Sequence, residues 1–202
     1  MLRSRLFALA LLALAPFAFT ACGGDDDDGG DDNSQITEVI TTSATSQDPA
    51  DCTRLATQRF LEQSQYETGQ EAVQSCEEDA SDTSDDPDSV DVQDIQVDGD
   101  NATATVVFQG GPIGNATVAV ALVRDGDQWK LDQITDLVSI DLESFKQSFA
   151  EEIESSPDIP TPIANCIRDA VGGLTEDQVR QAVVTGSQEA LLSLFGNCIP
   201  ST

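Results

Sequence analysis

Between Val90 and Leu131 the chain alternates apolar and polar residues, and short turn sequences cut the alternation into four pieces. Val90 and Val92 alternate, then Ile95 and Val97 do so in the opposite phase, which predicts a bulge near Gln93–Asp94. Asp98-Gly99-Asp100-Asn101 reads as a turn, after which Ala102, Ala104, Val106 and Phe108 share one face of a second strand. A longer connection from Gly110 to Gly114 leads to a third strand marked by Val118, Val120 and Leu122. Asp125-Gly126-Asp127 then turns the chain into a fourth, bearing Trp129 and Leu131. Short strands joined by such turns predict an antiparallel four-stranded meander with one buried face. That face needs a cover, which the rest of the chain has to supply.

Helical spacing flanks the meander on both sides. Asp48-Pro49-Ala50-Asp51 offers an N-cap, a proline at the first helical position and an acid in the first turn. The helix it opens carries a stripe of Cys52, Leu55, Ala56, Phe60 and Leu61. Thr68-Gly69-Gln70-Glu71 has the pattern of a capping box and leads to Ala72, Val73 and Cys76. These two helices are the nearest cover for the sheet, and an acidic loop from Ser81 to Ser89 separates them from it. Beyond the sheet, Asp141 caps a helix with Leu142, Phe145, Phe149 and Ile153 on one side, which Pro157, Pro160 and Pro162 break. Thr161-Pro162 starts the next, bearing Ile163, Cys166, Ile167, Ala170 and Val171, and Gly172-Gly173 ends it. Thr175 to Gln178 is a second capping-box pattern, and Gly186-Ser187 resets the chain into Ala190 to Phe195. The fold class predicted is α+β: an N-terminal helix pair packed on an antiparallel four-stranded meander, followed by a C-terminal helical segment.

The N-terminus has another logic. Met-Leu-Arg-Ser-Arg is followed by an apolar stretch from Leu6 to Phe19 and by Thr20-Ala21-Cys22-Gly23. A charged start, a short apolar run interrupted by Pro16 and a small-residue cleavage site describe a signal sequence better than a membrane span, which needs about 20 apolar residues. The segment resembles a bacterial lipoprotein signal, with Cys22 as the residue left at the new N-terminus, although Phe19 stands where such signals usually carry Leu. The resemblance implies a diacylglyceryl thioether on Cys22, often with an added N-acyl group, since stable anchoring takes more than one chain. The expected organisation is a cleaved signal over 1–21, a disordered acidic tether over 22–48, an α+β domain over 49–137 and a helical segment over 138–202. The tether is expected because Gly23 to Gln47 offers only Ile36, Val39 and Ile40 for burial.

Charge and cysteine content narrow the functional classes. Loss of Arg3 and Arg5 with the signal would leave seven basic residues against 37 acidic ones, a net charge of −30. Such a chain repels nucleic acid and anionic headgroups. It has no histidine, the usual general base and transition-metal ligand. No catalytic set, metal site or cofactor is legible. The Asp94, Asp98, Gly99 fragment of a calcium loop lacks acids at the third and twelfth positions and reads as a hairpin. With Cys22 acylated, Cys52, Cys76, Cys166 and Cys198 remain, and exported proteins commonly form disulfides. Three connectivities are open. The local one, Cys52–Cys76 and Cys166–Cys198, is expected because each pair brackets a helical hairpin.

A short helical segment followed by a meander ending in Asp125-Gly-Asp-Gln-Trp-Lys-Leu-Asp132 resembles the nuclear-transport-factor-two-like superfamily over roughly residues 49–137. The resemblance implies a curved sheet wrapped over helices into a cone with a pocket at its open end. Phe60, Phe108, Val120 and Trp129 are the residues expected there. Enzymatic members place Asp, His or Tyr in that pocket, and Tyr66 is the one tyrosine in this chain. The function expected is a lipid-anchored extracytoplasmic binding or scaffolding protein of the bacterial cell envelope. Its partners would be the membrane, through Cys22, and a small apolar ligand or another envelope protein. The alternatives are a cyclase- or isomerase-type enzyme of the same superfamily with an Asp or Glu base, and a calcium-responsive envelope protein.

Overall fold

A computed structural model describes residues 28–81, 86–111, 115–156, 159–195 and 198. The expected signal and Cys22 lie outside them. Among the described residues the fold is α+β, with eight helices and one four-stranded antiparallel sheet in the order β1-β2-β3-β4. The strands are β1 (Ser89–Asp98), β2 (Asn101–Gln109), β3 (Ala116–Asp125) and β4 (Gln128–Ile140). The alternation works as expected on β2 and β3. Ala102, Ala104 and Val106, with Ala116, Val118, Val120 and Leu122, are buried on one face. The β1–β2 register shifts between Gln93 and Gln96, with Asp94 at φ 51°, so the phase change does mark a bulge.

Four helices, not two, precede the sheet. The first departs most from expectation. Helix α1 runs from Asp28 to Thr45 through the segment expected to be a disordered tether. Its Ile36, Val39 and Ile40, spaced i, i+3, i+4, are buried, with Ile36 fully so. Asp31 and Asp32 in its first turns also suit the positive end of the helix dipole. Three apolar side chains are too few for a free helix in water, but they suffice where a curved apolar sheet is waiting. Helix α1 lies against both β1 and β4, the two edge strands, so the sheet is curled around it.

The expected single helix carrying Cys52 to Leu61 is two helices, α2 (Ala50–Leu55) and α3 (Gln58–Gln65). The break falls where Ala56 pairs with Leu131 and the Thr57 N–H donates to the Leu131 carbonyl at 2.8 Å. Asp48 caps as expected, accepting the Ala50 N–H at 3.0 Å. Helix α4 (Gln70–Asp79) does not use the expected capping box, because its N-cap is Gly69, at φ 63°, with no side-chain cap. The Gly69 N–H instead donates to Glu62 Oε1 at 2.9 Å. Cys52 and Cys76 are joined, with Cα atoms 6.1 Å apart, clasping α2 to α4.

Strand β4 has 13 residues, longer than expected, and the boundary drawn at residues 137/138 falls inside it. Its ladder with β3 slips three times, skipping Asp132, Thr135 and Val138. Each slip returns the next apolar residue to the inner face. Trp129, Leu131 and Leu137 are therefore buried, and Ile134 and Ile140 pack against the same core. Repeated bulges also bend a strand and increase its twist, which curls this edge over α1.

The C-terminal helices are α5 (Leu142–Ser155), α6 (Thr161–Gly172), α7 (Glu176–Thr185) and α8 (Gln188–Leu194). Asp141 accepts the Ser144 N–H at 3.1 Å at the start of α5, and Thr175 with Gln178 forms the expected capping box on α7. Cys166 and Cys198 are joined, with Cα atoms 5.5 Å apart. Both disulfides follow the local connectivity. The helical segment is riveted to the sheet by Gln63 of α3, a buried polar residue. Its amide nitrogen donates to the carbonyls of Ile134 and Val184, both at 2.8 Å, and its Oε1 accepts the Ile134 N–H at 2.8 Å. Gly186, at φ 57°, lets α7 come this close, since a Cβ there would stand 2.3 Å from Gln63 Cγ.

Candidate functional site

Of the four residues expected to line one pocket, Trp129 borders a hollow. It follows the Asp125-Gly126-Asp127 turn, where Gly126 has φ 65°, so its indole enters the fold at the hairpin end of β4. The ring is 1% exposed, and its Nε1–H donates to Asp32 Oδ1 on α1 at 3.1 Å. The Arg124 guanidinium lies 4.4 Å over the indole and pairs with the same carboxylate. Asp32 is thus held ionised, its pKa lowered first by the Arg124 hydrogen bond and then by the one from Trp129. Trp129 is chiefly a core residue latched to α1. A cleft of about 180 Å³ opens beside it, lined by Gln35, Glu38, Val39 and Thr42 of α1, Arg54 and Leu55 of α2, and Gln128.

Phe60, Phe108 and Val120 do not border this cleft, so the expected pocket does not assemble. The register explains why. Phe108 pairs with Ala116 at one end of β3, whereas Trp129 pairs with Arg124 near the other. Eight residues of strand separate the two pairs, about 26 Å at the usual rise. Val120 is buried midway along β3, and Phe60 sits on α3, part-buried against the core. The space that the expected cone would leave open is filled by Ile36, Val39 and Ile40 of α1.

Every carboxylate with a shifted pKa among the described residues is held below its ordinary value. Asp51 has its pKa lowered, first by the Ser46 hydroxyl and then by Arg54. Glu62 is lowered by the Gly69 N–H and Gln58, Asp125 by Lys130, and Asp141 by the Ser144 N–H and hydroxyl. A carboxylate held in its ionised form accepts hydrogen bonds well but is a weakened base. Tyr66 shifts the other way, its phenol raised by burial. Among the described residues no group of three or more His, Cys, Asp and Glu side chains is arranged to hold a metal ion. No described helix is long and apolar enough to cross a membrane.

Three residues that matter here escaped the sequence. Asp32 is one acid in a run of them, and Arg124 and Gln63 belong to no motif or apolar stripe. Each acts across 71 or more residues of chain, so no local pattern announces it. No protein-family model, no curated protein and no solved structure matches this chain.

Proposed function

We propose that this is a lipid-anchored extracytoplasmic protein of the bacterial cell envelope that works by binding or scaffolding another envelope component. The observation that carries the reading is the cysteine pairing. Four of the five cysteines are joined in two disulfides, which supports an oxidising compartment and leaves Cys22, at the end of the signal-like segment, as the fifth. Helix α1 sharpens the anchoring geometry. Six residue steps from Cys22 to Asp28 reach at most about 22 Å, so an acylated Cys22 would hold the folded domain close to the membrane.

Of the two occupants expected, an envelope protein is the better supported. The Trp129 cleft, at about 180 Å³, is smaller than the roughly 300–1,000 Å³ of ordinary ligand pockets, which supports a partner bound at the surface over an enclosed small ligand. The cyclase or isomerase alternative needs a carboxylate with a raised pKa, and every shifted carboxylate among the described residues is lowered. We keep the cone-shaped superfamily as a proposal about ancestry, supported by a curled sheet wrapped on helices.

Labelled palmitate tests the anchor. It should appear on the wild-type protein and be lost in Cys22→Ala; label that survives the substitution would remove the central support for this function.

A further inference from the structure

We propose that the outer edge of β1 is a docking site for an extended, basic segment of another protein, which joins the sheet as a fifth strand. This rests on the binding reading above and gives the partner a surface and a chemistry. The two edges of the sheet differ in a way that points to it.

Strand β4 is closed along its outer edge by three separate elements. The Thr57 N–H donates to the Leu131 carbonyl at 2.8 Å. The Gln63 side-chain amide takes both main-chain groups of Ile134, as a neighbouring strand would. Arg180 Nε, from α7, donates to the Leu137 carbonyl at 2.7 Å. A further strand would find these groups taken. Strand β1 lies at the opposite edge, and among the described residues only β2 hydrogen-bonds its main chain. In an antiparallel pair every second residue turns its N–H and C=O away from the partner strand, so β1 presents a row of unused donors and acceptors. Residues 89–93 pair without interruption with residues 105–109 before the bulge, a run of ordinary strand length.

Charge selects the occupant. Fourteen acidic residues and no basic one lie between Arg59 and Arg124. On β1, Asp91, Asp94 and Asp98 are exposed, and none of them pairs with a cation among the described residues. The Asp91 carboxylate meets the Gln93 amide instead. A second copy of β1 laid on this edge would set aspartates against aspartates, which like-charge repulsion disfavours. A strand with Lys or Arg at every second position would place them on the same face as Asp91, with directly opposed Cβ atoms about 5 Å apart. Its intervening side chains would fall on the side of Val90 and Val92, which pack against the core, so apolar residues suit those positions. The occupant is therefore a short segment of alternating basic and apolar residues.

A blocked hexapeptide alternating lysine and valine is the probe, read by amide hydrogen exchange of the purified full chain by NMR. At saturation it should slow the amides of residues 89–93 that β2 leaves unbonded by about tenfold or more, and leave the β4 amides unchanged. The same peptide N-methylated at every residue keeps its charge but has no main-chain donor, and should bind about tenfold more weakly or worse. Asp91→Lys changes an exposed residue and so should leave the fold intact. It should weaken the lysine peptide by about threefold or more, and should bind a glutamate–valine peptide better than the wild type does. Slowed exchange on β4 alone or nowhere, equal binding of the N-methylated peptide, or indifference to Asp91→Lys overturns the proposal. Palmitate labelling is read separately. A labelled chain whose β1 amides ignore the peptide loses the docking site alone, and protected β1 amides in an unlabelled chain keep the docking site without the anchor.

Discussion

Strands β2 and β3 bury seven side chains on one face, whereas α8 at the far end of the chain buries none. The sheet side is held by partners distant in sequence: α1 against both edges, Ala56 on Leu131, and Asp32 on Trp129 and Arg124. Helices α6 and α7 bury Ile167, Val171 and Val179, but α8 beyond them relies on a few fasteners. Phe149 stacks on Phe195 with ring centroids 5.6 Å apart, Cys198 is bonded to Cys166, and Gln63 rivets α7 to β4. Similar covalent links should therefore have unlike local consequences. Where packing is dense a disulfide adds to an existing constraint, and where it is sparse the disulfide is the constraint.

Removing each disulfide in turn probes that contrast most strongly. The bridges close similar intervals, 24 and 32 residues, so each should cost about 3–4 kcal/mol of global stability. Under native conditions the paired serine substitutions should diverge. Loss of Cys166–Cys198 should expose α8 to proteolysis, whereas loss of Cys52–Cys76 should leave β2 and β3 protected. Equal protection of α8 in both variants would break the comparison.

Gln63→Ala is the next probe, because it cuts the rivet between the two regions. It strips buried partners from the Ile134 N–H and from the carbonyls of Ile134 and Val184, at a cost of about 1–3 kcal/mol in denaturant unfolding. It should also separate the melting of α7 from that of the sheet; a variant that still unfolds in one step at the wild-type midpoint would show that Gln63 couples nothing.

The smallest expected effect is pH-dependent. Asp32 has its folded-state pKa below the ordinary value, so its contribution is fully present above about pH 4 and is lost as pH falls through the depressed value. Asp32→Asn should therefore unfold more easily than wild type at neutral pH. The gap should close as the solution is acidified, and a gap independent of pH would mean that the carboxylate charge contributes nothing.

How much of this was legible in the sequence depends on the range of the interaction. The hairpins, the β1 bulge, the capping box on α7 and both disulfide pairings follow from neighbours or short intervals. Strand β4 was half legible. Trp129, Leu131, Ile134, Leu137 and Ile140 are spaced two and then three apart, which a strict period of two rejects. The skipped residues Asp132, Thr135 and Val138 make that spacing a strand with repeated bulges. Helix α1 was missed because its three apolar residues are too few without the sheet they cover, and composition alone cannot supply that partner. The pocket failed for the same reason: the residue types were right for an interior, and α1 occupies it.

Helix α1 decides the interior of this fold, because it makes a packed helix of most of the segment expected as a tether and fills the sheet face that an open cone would expose. Amide hydrogen exchange over Gln35–Thr45 in the native protein tests it most directly. Protection should lie within about tenfold of the β2 amides, as expected for a helix that opens only with the core. Exchange at the rate of an unstructured chain would show α1 to be detached and the sheet face beneath it to be open.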